Sequence, residues 1–209
     1  MRSGKLFWLI LGFISLAPAA RGQYVSVAGG GLFSQDRGAA APSGRVGGPA
    51  SAEFSASGIA AVDAGLGLLP FLGAGLHYSY ARPVLSLRRG DAFGSSALVR
   101  LGAHTVTADA RLRTPQIYGF RLYGLAGVGL TRFLLDVKRQ VEVPFPGGAP
   151  DSVLSPVFTF AGGVEKSIAP LVRWKIEARD YVTPISEKFF QPGGAWHRVA
   201  VLGGIVFGW

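Results

Sequence analysis

The chain has 209 residues, of which 49% are hydrophobic and only 16% are charged. A charged fraction well below the roughly 25% of soluble domains excludes a disordered or strongly solvated chain, and the length suits one domain. The absence of cysteine excludes disulfides, thiolate metal sites and cysteine nucleophiles. The formal net charge of +9 would suit nucleic-acid binding only if the cations form a continuous surface.

Residues 1–22 have the pattern of a secretory signal peptide. Two cations, Arg2 and Lys5, precede an uncharged apolar run, and alanine and glycine residues follow it. The run of about 11 residues is too short to span a bilayer ~30 Å thick as a helix. We therefore predict export, cleavage just before Gln23, and a mature domain over residues 23–209.

Period-two alternation dominates the rest of the chain. Along residues 172–179 the even-numbered positions are apolar and the odd-numbered positions are Arg, Lys, Glu and Arg. Residues 72–80, 158–165 and 198–209 also carry one apolar face and one polar, small or charged face. Such alternation indicates strands, because a helix would distribute the charges around its circumference.

Four further segments are rich in Val, Leu, Phe and Tyr and are bounded by turn residues: residues 25–33, 53–64, 96–112 and 119–137. The strands then number eight. Three connections are short, at residues 65–70, 113–118 and 167–170, and four are long, at residues 35–51, 82–95, 138–152 and 183–194. Short turns that alternate with long loops are typical of outer-membrane barrels. We predict an eight-stranded antiparallel up-and-down transmembrane β-barrel with short periplasmic turns and long extracellular loops.

The apolar faces of such a barrel would contact lipid, whereas those of a soluble sandwich would turn inward. The signal peptide, the glycine-rich polar faces and the aromatic residues near strand ends favour the barrel. A cation facing lipid at the midplane costs ~2–4 kcal/mol. Slipping residues 172–179 by one position would therefore cost on the order of 6–12 kcal/mol for three cations. The predicted aromatic girdle consists of Tyr78, Tyr80, Trp174 and Trp196.

Side chains fill the interior of an eight-stranded barrel, and charges buried there must be paired. We therefore expect a lumenal charge network made of Arg173, Lys175, Glu177, Arg179, Glu165, Arg100, Arg198 and Asp63. One register is left open: Arg100 and His104 share one face, whereas Asp109 and Arg111 share the other. Either a bulge intervenes or the end of that strand leaves the membrane. Because the cations alternate with hydrophobic residues, no nucleic-acid partner is expected.

Three stretches resemble a known family: residues 123–129 (Tyr-Gly-Leu-Ala-Gly-Val-Gly), 161–165 (Ala-Gly-Gly-Val-Glu) and 174–181 (Trp-Lys-Ile-Glu-Ala-Arg-Asp-Tyr). They look like the small outer membrane protein beta-barrel family, which includes the transmembrane domain of outer membrane protein A and the opacity proteins. The C-terminal alternation resembles the signal read by the barrel assembly machinery, here Ile205, Phe207 and Trp209. Unlike outer membrane protein A, this chain is expected to carry no peptidoglycan-binding domain.

His77 and Ser79 resemble the His-x-Ser pair of outer-membrane lipid A deacylases, in which histidine activates a serine nucleophile. Tyr80 stands where that family has asparagine, and no partnered carboxylate is evident. A polar pair packed in the lumen is the simpler interpretation. The solitary His104 and His197 suggest no metal site, because zinc needs three or four converging ligands. No cofactor is expected.

The function predicted from these features is that of a non-enzymatic integral outer-membrane barrel with a structural, envelope-integrity or surface-contact role that includes adhesion. The alternatives are a lipid A deacylase using His77 and Ser79, a narrow channel, and a soluble lipocalin-like carrier. The expected partners are outer-membrane lipid, lipopolysaccharide and, during biogenesis, the barrel assembly machinery; a monomer is expected. Cations that could meet lipopolysaccharide phosphates are Arg37, Arg45, Arg82, Arg88, Arg89, Lys138 and Arg139.

Overall fold

The computed structural model describes residues 22–34, 51–88, 96–136, 152–184 and 195–208. These residues form ten strands: β1 Gln23–Ser34, β2 Ser51–Phe54, β3 Ser57–Gly67, β4 Leu72–Ala81, β5 Val84–Arg88, β6 Ser96–Arg113, β7 Phe120–Asp136, β8 Ser152–Ala169, β9 Val172–Pro184 and β10 Ala195–Gly208. The predicted signal peptide, apart from Gly22, and Trp209 lie outside the described residues, as does most of each predicted long loop. No helix in the described part of the chain is long and apolar enough to cross a membrane.

The ten strands make one closed antiparallel sheet. Their order is β2-β5-β6-β4-β3-β1-β10-β9-β8-β7, and the pairing of β6 with β7 closes it. The short β2 precedes β3, and β5 follows β4, across two-residue breaks at 55–56 and 82–83. Each short strand therefore lengthens one of the eight strands that surround the lumen. The predicted eight-stranded antiparallel barrel is confirmed.

Three tight connections lie at one end of the barrel, which we call the short-turn end, and the opposite end is the long-loop end. They join β3 to β4, β6 to β7 and β8 to β9. In the β6–β7 turn, Tyr118 and Gly119 have φ values of 50° and 82°, between mutual hydrogen bonds of 2.9 Å that join Ile117 and Phe120. Two consecutive positive φ angles suit the right-handed twist of a hairpin.

The two faces of the strands have opposite polarity. Along β10, Val199, Val201 and Ile205 are 37–48% exposed on the outer wall, whereas Ala200 and Leu202 are 0% exposed. Strands β1, β3, β4 and β6–β9 place large hydrophobic side chains outside in the same way, and together they bury Asp, Glu, Lys, Arg and Thr side chains inside. A wall of this kind is stable only in lipid, because a soluble protein buries its apolar faces.

Strand β6 contains no bulge, which decides the open register. Asp109 and Arg111 are buried on the lumenal face, and the outward positions include Arg100 and His104 near the long-loop end. The prediction that Arg100 belongs to the lumenal network is wrong, since its side chain is exposed. The strand keeps one register, and its long-loop end extends to a level where a wall cation can reach headgroups or water.

Candidate functional site

A carboxylate on β3 is the hub of the lumen. Asp63 Oδ2 lies 2.6 Å from Lys175 Nζ on β9, and Oδ1 lies 2.6 Å from His77 Nδ1 on β4. The hydroxyl of Ser26 on β1 donates to Oδ2 at 2.5 Å. All four side chains are buried, so one acidic group links four strands.

Strand β9 supplies the arginine that balances two more acids. Arg179 Nε donates to Glu177 Oε1 at 2.8 Å, and Nη1 donates to Asp109 Oδ2 on β6 at 2.8 Å. Lys175 Nζ lies 3.6 Å from Glu177 Oε2, which also accepts the Tyr123 hydroxyl at 2.7 Å. Because β8 and β7 separate β9 from β6 in the sheet, the pair with Asp109 crosses the lumen.

At the short-turn end a second set of charges closes the interior. Glu165 lies 3.2 Å from Arg111 Nη1 and 3.1 Å from Arg173 Nε. The Arg111 guanidinium lies between two aromatic faces, 4.7 Å from the ring centroid of Tyr24 and 4.5 Å from that of Tyr123. Cations held this way contribute both charge pairing and stacking.

At the long-loop end, Arg198 is buried without an ion pair among the described residues. Its Nη2 donates to the hydroxyls of Thr131 and Thr183 at 3.1 and 3.2 Å. Its guanidinium lies 5.1–5.5 Å from three aromatic ring centroids, those of Phe133, Tyr181 and Trp196. The expectation that Arg198 meets Glu165, Glu177 or Asp63 is wrong, because aromatic faces and threonine hydroxyls surround it instead.

An apolar cluster, which the predicted charge network does not include, occupies part of the long-loop half of the lumen. Its buried members are Ala28, Leu32, Ile59, Ala61, Ala81, Val157, Tyr181, Ala200 and Leu202. They alternate with outward residues on their strands, so the period-two pattern could have shown that some inward positions are apolar. The ion pairs among the described residues therefore occupy the centre and the short-turn end of the lumen, and the apolar cluster shares the space above them with Arg198 and its threonine partners.

Three of the four predicted girdle residues face outward. Trp174 lies near the short-turn end, and Tyr78 and Tyr80 lie towards the long-loop end. The placement of Trp196 on the outer wall is wrong: it is on the lumenal face of β10, where its ring packs 5.8 Å from that of Phe133. Its spacing of two residues from a buried arginine was the signal available. The girdle role of the other three stays a prediction.

The His77 and Ser79 pair has a carboxylate partner that the local sequence does not reveal. Asp63 contacts Nδ1 of His77, and the hydroxyl of Tyr181 lies 2.8 Å from Nε2. Both residues of the pair are no more than 2% exposed and face the lumen. Asp63 is the register partner of His77 across the β3–β4 hairpin, which sequence alone does not specify. A lipid acyl chain outside the barrel has no access to this serine.

The predicted assembly signal lies on the closing strand. Ile205 and Phe207 are outward on β10, and Phe207 pairs in register with Val25 of β1, whereas Trp209 is outside the described residues. Its role as a signal stays a prediction. Among the described residues, no group of three His, Asp or Glu side chains is arranged to hold a metal ion.

Comparison with known proteins gives matches to solved structures only. Neisserial surface protein A is 12% identical with a TM-score of 0.57, over 89% of this chain and 96% of that chain. Outer membrane protein OprG from Pseudomonas aeruginosa is 11% identical with a TM-score of 0.58, over 91% and 97%. No family model matches the chain, and no curated protein matches it.

These similarities concern the fold alone, and the polarity of the outer wall and of the lumen explains why the chain adopts it. Strands that turn apolar side chains outward and bury their ions need lipid around them. A closed antiparallel barrel satisfies every backbone hydrogen bond within that lipid. The chain therefore has the fold of the small eight-stranded outer-membrane β-barrels, and its outer wall is suited to contact lipid.

Proposed function

We propose that the protein is a non-enzymatic, closed barrel that strengthens the outer membrane and holds surface loops for contact with other surfaces, including adhesion. The observation that carries the proposal is the set of ion pairs across the lumen. Asp63 with Lys175, and Arg179 with Asp109, join strands that are not neighbours in the sheet. A barrel tied across its interior is suited to hold loops rigidly rather than to pass solutes.

Opening a water path would require several of these pairs to separate at once. Breaking a buried pair by removing one partner costs about 3–5 kcal/mol, because a charge is left without compensation. Arg179 contacts both Glu177 and Asp109, so its pairs would have to break together. The apolar cluster adds a second barrier, since water gains no hydrogen bonds there.

The surface role is supported by the length of the connections at the long-loop end. Residues 35–50, 137–151 and 185–194 join strands at that end, and loops on a rigid scaffold are where binding residues concentrate.

We further propose that residues 1–22 direct export. The assembly machinery would then insert the chain as a monomer, with Ile205, Phe207 and Trp209 as its signal.

Reconstituted in a planar lipid bilayer, the refolded protein should give no reproducible conductance steps, because side chains block the lumen. The heat-modifiable shift in gel mobility of the same preparation shows that the barrel is folded. Regular unitary steps from the folded, unmodified protein would contradict the closed-barrel proposal and favour the narrow channel.

The enzymatic alternative is tested separately with lipid A. The folded protein should release no acyl chains from lipid A vesicles, because Ser79 is inside the barrel. Release that disappears in Ser79→Ala, with the gel shift unchanged, would contradict the non-enzymatic proposal.

For the surface role, replacing residues 137–151 with a short Gly-Ser turn should reduce adhesion of cells that display the folded barrel, and unchanged adhesion would remove this loop from the proposal.

A further inference from the structure

The outer wall is not uniformly apolar near the long-loop end. Tyr80 on β4, His104 on β6 and Arg132 on β7 form one row, because Tyr80 pairs in register with His104 and His104 with Arg132. All three residues lie at outward positions of their strands, and Arg132 is exposed. With Tyr78 and Arg82 they form what we call the wall patch.

Contacts within the wall patch hold its polar groups in place. The Tyr78 hydroxyl lies 2.9 Å from His104 Nδ1, and the rings of Tyr80 and His104 are 4.7 Å apart. Arg82 lies 5.5 Å over the Tyr80 ring and donates from Nε to its hydroxyl. When the Tyr78 hydroxyl donates to Nδ1, Nε2 of His104 carries the ring proton and is a hydrogen-bond donor.

An arginine on a lipid-facing wall lowers the stability of a barrel by an amount that depends on its depth in the membrane. Its cost is ~2–4 kcal/mol at the midplane and falls to ~0–1 kcal/mol near the interfaces. Arg132 lies 12 residues beyond Phe120, which starts β7 at the short-turn end. At ~3.4 Å per residue along a strand tilted by ~35–45°, the rise is about 30 Å. Arg132 is therefore at the level of the outer headgroups.

Within the described part of the chain, no acidic side chain forms an ion pair with Arg132 or His104. Arg132 has the Ser152 hydroxyl as its polar contact, at 3.4 Å, and His104 has Tyr78. Arg100 is further up β6, where its backbone is in register with Asp136, and it is not part of the patch.

Other polar groups on the described wall differ from the wall patch. Asp180 and His197, on β9 and β10, contact each other at 2.7 Å and so form their own acid–base pair. Lys166 lies near the short-turn end, over the ring of Phe120 at 4.8 Å. Among the wall residues that the structure describes, the patch alone combines arginine, histidine and tyrosine side chains at the outer-leaflet level.

We propose that the wall patch binds a phosphate group of lipopolysaccharide in the outer leaflet. Arg132 and His104 donate to the phosphate, and the tyrosine rings pack against the sugar and the upper acyl chains. Charge complementarity and depth select this lipid, because phosphorylated glycolipid occupies the leaflet on the long-loop side. Binding at this patch rests on the proposed placement of the long loops at the cell surface, and it does not depend on adhesion or on a closed lumen.

Binding of fluorescent lipopolysaccharide to the folded protein in neutral detergent tests the proposal. Arg132→Gln should weaken binding roughly fivefold, the effect of about one cation near an anionic membrane surface, and adding His104→Gln should weaken it further. Lys166→Gln removes a wall cation at the opposite end and should bind as the unmodified protein does. Equal affinity of the double variant and the unmodified protein, with gel shifts intact, would overturn the proposal.

Three competitors identify the ligand chemistry. Dephosphorylated lipid A should compete poorly, and phosphatidylglycerol and millimolar inorganic phosphate should compete less well than intact lipid A. Full competition by dephosphorylated lipid A would overturn the role of phosphate. Full competition by inorganic phosphate or phosphatidylglycerol would overturn the assignment to lipopolysaccharide.

Discussion

Replacing Arg179 with methionine should lower the free energy of unfolding of the barrel by about 3–5 kcal/mol, as expected when a buried ion pair loses one partner. The substitution leaves the carboxylates of Glu177 and Asp109 without their closest cation. Both carboxylates are buried. Urea unfolding in lipid vesicles, followed by tryptophan fluorescence and by the gel shift, measures the change.

Two further variants separate charge from packing. Lys166→Met removes a cation from the outer wall and should change the free energy of unfolding by less than about 1 kcal/mol, since exposed charges contribute little. Adding Glu177→Gln and Asp109→Asn to Arg179→Met should recover part of the loss, because uncompensated charges are removed. A loss below about 1 kcal/mol in Arg179→Met would contradict the assignment of a lumenal charge network.

Val201→Arg should destabilise the barrel by ~2–4 kcal/mol, the cost of arginine on the lipid face near the midplane. Val201 is 48% exposed on the outer wall of β10, between Val199 and Gly203. In a soluble sandwich the same exposed position would meet water and would accept arginine at little cost. Unfolding in vesicles of defined lipid again gives the change in free energy.

A matched substitution near the membrane surface controls for side-chain size. Ile168 is 61% exposed near the short-turn end, two residues from Lys166. Ile168→Arg should cost no more than ~1 kcal/mol, because the penalty falls steeply towards the interface. If both arginine substitutions cost the same, the depth assigned to Val201 is wrong.

The fold was largely predictable because one physical rule acts on every strand. Because lipid contacts one face of each strand and the crowded lumen contacts the other, successive residues must alternate in polarity. Residues 172–179 do so without exception. The structure places Lys175, Glu177 and Arg179 inside as that pattern requires. Turn lengths then determine the order of strands, since short hairpins pair consecutive strands.

The errors arise towards the long-loop ends of strands, where residue type and the period-two alternation indicate different faces. Arg100 was assigned to the lumen from its charge alone, although its parity matches that of the outward Val106. Trp196 was assigned to the wall because it is aromatic, although its parity matches that of Arg198. In both cases the even or odd position along the strand, and not the residue type, indicates the face on which the side chain lies.

Pairing across the lumen was beyond reach of the sequence. Which side chains meet there depends on strand tilt and on the stagger between strands, and neither is readable from local alternation. The contacts of Asp63 with Lys175 and of Arg179 with Asp109 require that global geometry. The contact of Asp63 with His77 depends instead on the register of the β3–β4 hairpin.

The central claim is that the outer wall meets lipid and the ions lie within. Because the chain has no cysteine, single cysteines at each of positions 199–206 can carry a nitroxide label in vesicles. We expect oxygen, which concentrates in lipid, to reach labels at the odd positions Val199, Val201, Gly203 and Ile205 far more than those at the even positions. Labels at odd positions that are reached instead by a water-soluble nickel complex, or no alternation at all, would contradict the account.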